Sequence, residues 1–126
     1  MHSLKYIRSG SGFLPHDIRT ELESALNVPV VEAYGMSETG TVAINIPQKK
    51  GSVGIPFVES LRIVDEKGHE LGPAITGEIV IRDPAVFCGY ENAPEETRAA
   101  FVNGWFIDHV FGRLPDGARF VANVGD

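Results

Sequence analysis

The residues best suited to chemistry lie together in Tyr34-Gly35-Met36-Ser37-Glu38-Thr39-Gly40. An aromatic face can stack on a base, a hydroxyl beside flexible glycines can donate to a phosphate oxygen, and a neighbouring carboxylate can hold the magnesium that accompanies nucleotide phosphates. Tyr34, Ser37 and Glu38 supply one of each. The segment continues from Val28-Pro29-Val30-Val31-Glu32-Ala33-Tyr34, a β-branched stretch expected to form a buried parallel strand. It should therefore emerge at the carboxyl end of that strand, where open α/β sheets bind ligands. On residue types alone the same segment also reads as a plain turn.

Other reactive side chains are dispersed. His2, His16, His69 and His109 have no ligand spacing, and each is expected to be an ordinary surface or partly buried residue. Cys88 is the sole cysteine, so no intramolecular disulfide can form; beside Val86-Phe87 it reads as a small core residue. Phe101, Trp105, Phe106 and Phe111 read as core.

The elements that must position the first segment are legible upstream. Lys5 to Ile7 reads as a strand that leads into Ser9-Gly10-Ser11-Gly12, whose glycines permit a tight turn or close approach to a ligand. Pro15 suits a first helical position, and Leu14, Ile18, Leu22 and Leu26 form one apolar stripe at helical spacing. Strand, helix and strand make a βαβ unit.

From about Gly51 the pattern becomes mostly β. Ser60 to Val64 and Gly77 to Arg82 alternate as half-buried strands, with Glu78 and Arg82 expected as a solvated pair on one face. Asn92 should start a helix running to Phe101, ended by Asn103-Gly104. A last hairpin should turn at Pro115-Asp116-Gly117. The fold class expected is α/β: a βαβ piece of a larger sheet (residues 1–50) followed by a small, mainly antiparallel β subdomain (51–126), both parts of one truncated domain.

At 126 residues, 43% hydrophobic and 22% charged, the chain has the composition of a soluble globular protein. Its net charge of −6 is the wrong sign for a nucleic-acid partner. No apolar run is long enough for a membrane span and no signal peptide is legible, so a cytoplasmic location is expected.

Several blocks, in order and at suitable spacing, resemble the ANL superfamily of adenylate-forming acyl-CoA synthetases, adenylation domains and luciferases. Ser9 to Pro15 resembles its small-residue loop before a helix, and Tyr34 to Glu38 its Tyr-Gly-x-Ser/Thr-Glu motif. Gly51-Ser52-Val53-Gly54-Ile55-Pro56 resembles Gly-x-Val-Gly-x-Pro. Gly77 to Pro84, closing at Gly89-Tyr90, resembles Gly-Glu-x-x-x-Arg-Gly-Pro with Gly-Tyr, and Gly104-Trp105-Phe106 begins the next block.

The resemblance implies that Tyr34 stacks on adenine, with Gly35 and Met36 beside it, that Ser37 touches the α-phosphate, and that Glu38 helps to hold Mg2+. Gly10, Ser11 and Gly12 would line the adenine and acyl side of the cleft. ATP, Mg2+ and coenzyme A are the implied cofactors, and a small carboxylic acid the implied substrate. The family's ribose-binding aspartate is replaced in the simplest register by Val110; Asp108, two residues earlier, could substitute only through a local bulge. The family's phosphate loop with its lysine, and its small carboxy-terminal domain, have no counterpart in these residues. The expectation is a fragment of an ATP-dependent acid-CoA ligase, inactive alone and prone to self-association. The alternative is a non-catalytic remnant that binds a partner or, weakly, a nucleotide.

Overall fold

A computed structural model describes residues 3–46, 52–113 and 121–123. The chain opens with strand β1 (Ile7–Ser9), helix α1 (His16–Leu26) and strand β2 (Val30–Met36). β1 and β2 are parallel, with Ile7 opposite Val30 and Ser9 opposite Glu32, so the βαβ unit is present. The first strand includes Ser9, which the sequence reading placed in the loop. Pro15 precedes α1 as its N-cap instead of opening its first turn: its ψ of 142° is extended, and its carbonyl accepts the Arg19 N–H at 3.0 Å. The helix ends where Asn27 turns left-handed (φ 52°) and its N–H donates to Glu23 O.

The face of α1 turned to the sheet departs from the simple apolar stripe. Leu22 and Leu26 are half-buried, Ile18 is exposed, and the buried helical residue is Arg19. Its guanidinium lies 3.1 Å from Glu32 on β2 and 3.6 Å from Glu23. A long apolar stem with a paired charged tip fills the position that the periodicity assigns to a hydrocarbon.

β2 then folds back through a tight turn into β3 (Gly40–Ile44), which pairs antiparallel with it. No strand is expected from the sequence at β3, and the strand expected to end at Tyr34 continues in the structure to Met36. Beyond β3, β4 (Ile55–Pro56) adds antiparallel to Ala43 and Ile44, completing a four-stranded sheet in the order β1-β2-β3-β4. The first sheet thus takes in residues past the boundary read at 50.

Two glycines make this edge possible. A Cβ on Gly35 would stand 2.1 Å from Gly40 O, at the point where the β2–β3 register slips. One on Gly54, at φ 104°, would stand 1.9 Å from Ile44 O. No other residue fits either position.

The second sheet contains β5 (Ser60–Val64), β6 (Gly77–Arg82), β7 (Phe101–Val102), β8 (Trp105–Arg113) and β9 (Val121–Asn123), with the short helix α2 (Pro94–Ala99) ahead of β7. Its pairings are all antiparallel, in the order β5-β6-β8-β7, with β9 also on β8. The expected helix to Phe101 is shorter than read. Ala93, not Asn92, is its N-cap, and Asn92 is left-handed at φ 54°. Phe101 is already a strand residue, and Asn103-Gly104 (φ 51° and 82°) is a two-residue hairpin turn and not a helix stop. Positive φ at both central residues is what joins two right-twisted strands most tightly. The final hairpin is present as the β8–β9 pair, while its Pro115-Asp116-Gly117 turn lies outside the described residues.

One core serves both sheets. Tyr34, Val42 and Ala43 from the first pack with Val53 and with Ile63, Ile79 and Ile81 of the second.

Candidate functional site

The parallel pair β1–β2 ends in two connections, the Ser9–Gly12 loop and the Ser37–Thr39 turn. Between them lies a cleft of about 230 Å3, to which Gly10, Ser11, Tyr34, Gly35, Met36 and Ser37 all contribute. Six of the residues singled out from sequence therefore meet in one place. Gly12, Glu38 and Asp108 do not line it.

The turn is fixed from within. The Thr39 N–H donates to Met36 O at 3.1 Å, and the Thr39 hydroxyl oxygen accepts the Met36 N–H at 3.2 Å. Thr39 is 2% exposed, so this side chain holds the turn while Ser37, two residues earlier, stays exposed. Ser11 is left-handed at φ 67°, which a short polar side chain tolerates better than most. A Cβ on Gly10 would meet only Ala33 O, at an ordinary 3.7 Å, and one on Gly12 would meet nothing within 4 Å. The protein itself does not demand these glycines; the space beside them is open.

Tyr34 borders the cleft but is 6% exposed and belongs to the shared core. Little of its ring is left for a ligand to cover. Glu38 sits just past Ser37 and is half-buried. Its carboxylate accepts the Tyr90 hydroxyl at 2.9 Å, and its backbone carbonyl accepts the Phe87 N–H at 2.7 Å. This contact pushes the Tyr90 pKa upward, through the hydrogen bond first, then burial and the Glu38 charge. Among the described residues no three His, Cys, Asp or Glu side chains converge as a metal cage. A single carboxylate is nonetheless the usual protein share at a magnesium that takes its other ligands from phosphates and water.

Asp108 lies in β8, where the pairing with β6 slips: Ile107 faces Val80 while Phe111 faces Glu78. The bulge that a substitution for Val110 requires is thus present, and His109 within it is left-handed at φ 56°. The side chain of Asp108, however, is 4% exposed, and among the described residues neither carboxylate oxygen has a hydrogen-bond partner. Desolvation raises its pKa to about 6, partly offset by His109.

Residues outside the sequence reading also shape the site. Arg8 and Thr41 line the cleft, and the Arg8 guanidinium donates to Thr41 Oγ1 at 2.6 Å. A lone cation ending the strand before a glycine loop was the available signal. Tyr90 enters through Glu38; the sequence marks it only as part of a motif.

Elsewhere three expectations change. Cys88 is exposed, bordering a shallow groove with Thr97 and Arg98, because Phe87 turns inward in its place to pack on Phe101 and Phe106. Glu78 and Arg82 do not pair: Glu78 meets His109 at 3.1 Å, and Arg82 stacks on Trp105. Trp105 is half-buried, its ring facing Arg62 as well as Arg82. Asp83, where the resembling motif has glycine, accepts the Ala85 and Glu59 N–H groups at 2.8 and 2.6 Å. These bonds hold its pKa below the ordinary carboxylate value. His16, His69 and His109 are exposed as expected; His2 lies outside the described residues.

A short parallel βαβ unit whose glycine loop and β-hairpin enclose a cleft, packed on an antiparallel sheet, defines the class as that of the ANL adenylate-forming enzymes. A family model described as AMP-binding enzyme matches residues 1–91, and the chain belongs to that family. It is 43% identical over 109 residues to oxalate-CoA ligase of Arabidopsis thaliana, covering 82% of this chain and 21% of that one. It is 32% identical to the long-chain-fatty-acid-CoA ligase of Bacillus subtilis, covering 95% and 22%. Among solved structures, apo MatB from Rhodopseudomonas palustris superimposes with a TM-score of 0.84 at 31% identity, covering 94% of this chain and 25% of that one. The chain thus spans about a fifth to a quarter of the length of these relatives.

Proposed function

We propose that this chain forms part of the nucleotide site of an ATP-dependent acid-CoA ligase, which joins a carboxylic acid to AMP and passes the acyl group to coenzyme A. The observation that carries this reading is the convergence of Gly10, Ser11 and Tyr34 to Ser37 on one cleft at the carboxyl ends of β1 and β2. Relatives of the chain are CoA ligases, and MatB has been crystallised with ATP bound.

In this assignment the open space beside Gly10 receives the nucleotide, and Tyr34 supports adenine through the part of its side chain that borders the cleft. The exposed Ser37 hydroxyl donates to an α-phosphate oxygen. Glu38, oriented by the Tyr90 hydroxyl, is the residue that would hold Mg2+, whose chemistry is to neutralise phosphate charge. The chain includes no lysine-bearing phosphate loop, so it binds without turning over. The acceptor thiol and a cytoplasmic setting belong to the same proposal.

A second reading, a weak non-catalytic nucleotide-binding module, draws on Val110 and Asp108. Valine accepts no hydrogen bond, and the Asp108 carboxylate is buried. Losing two bonds to a charged acceptor costs about 1.5 to 3 kcal/mol each, at least tenfold in affinity.

The test is calorimetric titration of the purified chain with ATP and magnesium. Tyr34→Ala would damage the core as well as the cleft, so Gly10→Leu and Ser37→Ala are the informative variants. Gly10→Leu should abolish binding and Ser37→Ala weaken it about tenfold, with thermal melts unchanged. ATP binding indifferent to both would remove the cleft from the nucleotide site.

A further inference from the structure

Among the described residues, four arginine side chains have charged or aromatic partners. Arg19 pairs with Glu32 and Glu23, Arg98 with Glu95, Arg62 with Glu70 and the Trp105 ring, and Arg82 with that ring and Asn103 O. Arg8 is different. Among the described residues it has neither an acidic nor an aromatic partner, although acids outnumber bases seventeen to eleven. Its one hydrogen bond is to the neutral hydroxyl of Thr41, and the residue lines the cleft.

Topology explains how this guanidinium is held. Arg8 lies on β1 and Thr41 on β3, the two strands that flank β2, so the side chain spans β2 to reach its partner. Ala33 and Gly35 of β2 line the same cleft, and neither carries a side chain larger than a methyl group. Thr41 orients the fork and leaves most of its donors unspent. A guanidinium has five N–H donors in a plane that matches a carboxylate bidentately, and it stays charged at any working pH.

The geometry points to Arg8, oriented by Thr41, as a binding residue for an oxyanion of the acid substrate. The substrate class is a small acid that carries a second anionic group, one carboxylate being activated and the other held by the guanidinium. This rests on the adenylate-forming reading above. The names of the relatives leave the choice open, since they include ligases of oxalate and of long-chain fatty acids. The other source of the same chemistry is a phosphate of the nucleotide, and the experiment separates the two.

The 15N-labelled chain is titrated with sodium malonate and with sodium acetate at constant ionic strength, and separately with ATP and magnesium, following the Gly10, Ser11, Ser37 and Thr41 amides. Wild type should bind malonate at least fivefold more tightly than acetate. Arg8→Gln should erase that preference, Arg8→Lys should keep part of it, and Lys5→Gln, which removes the same charge from an exposed neighbour, should leave it intact. ATP affinity should be the same in all four proteins. Equal binding of the two acids by wild type, or a malonate preference that survives Arg8→Gln, overturns the assignment. So does a loss of ATP affinity in Arg8→Gln, which would give the guanidinium to a phosphate. An Arg8-dependent malonate preference without any ATP binding would support the oxyanion site while removing the adenylate reading.

Discussion

Asp108 shows what a single buried carboxylate does to a small fold. Its side chain is 4% exposed, its oxygens have no hydrogen-bond partner among the described residues, and its pKa is raised to about 6 against an ordinary 3.8. The folded state therefore holds the proton more tightly than the unfolded state does. The stability contributed by the protonated form is fully present below about pH 4 and is lost as the pH rises through about 6. A shift of this size corresponds to about 3 kcal/mol. Urea unfolding between pH 5 and 8 should show wild type losing stability as the pH rises. Asp108→Asn should flatten that slope and be the more stable protein at pH 8 by about 1 to 3 kcal/mol. A slope that survives the substitution would place its origin elsewhere. The residue types of the site were legible in the sequence because Tyr34, Ser37 and Glu38 carry their chemistry in their names. Their availability was not: burial of Tyr34 and Asp108 depends on what packs over them.

At the scale of elements, the β2–β3–β4 edge rests on glycines pressed against backbone. A Cβ at Gly54 would sit 1.9 Å from Ile44 O at a φ that L-residues avoid. Gly54→Ala should cost about 3 kcal/mol or more and Gly72→Ala, where a Cβ meets nothing within 4 Å, less than about 1. Chemical denaturation of the two variants decides it; near-equal midpoints would show that the edge can relax. The link between α1 and β2 offers a second test. Arg19→Ala leaves Glu32 and Glu23 partly buried without their cation and should destabilise by about 1 to 3 kcal/mol. Loss of only a few tenths would reduce the pair to a surface contact. Periodicity located α1, and a β-branched run located β2. Periodicity missed β3, β7 and the Asn103-Gly104 hairpin, since short strands have too few residues to show alternation, and Asn-Gly signals a turn without saying what it joins.

At the scale of the whole molecule, several large apolar side chains are exposed. Leu4 and Tyr6 lead into and flank β1, which among the described residues pairs on one side only, and Phe13, Ile18, Ile46 and Phe57 are also exposed. An unpaired strand edge beside apolar side chains favours association. Sedimentation should show self-association that rises with concentration in wild type and is reduced by Tyr6→Lys with Phe13→Ser. A monomer at every concentration would count against it. No described helix is long and apolar enough to cross a membrane.

By itself the sequence determined the family, the order of the βαβ unit and the β-rich half, and six of the residues that meet at the cleft. These follow from local patterns: motif spacing, alternation and glycine placement act over a few residues each. Only the tertiary structure decided that Arg8 reaches Thr41 across β2, that Tyr90 orients Glu38, that Cys88 faces solvent and that Asp108 is buried. Those contacts join residues as far apart as Glu38 and Tyr90. Distance along the chain carries no information about them until packing brings the strands together.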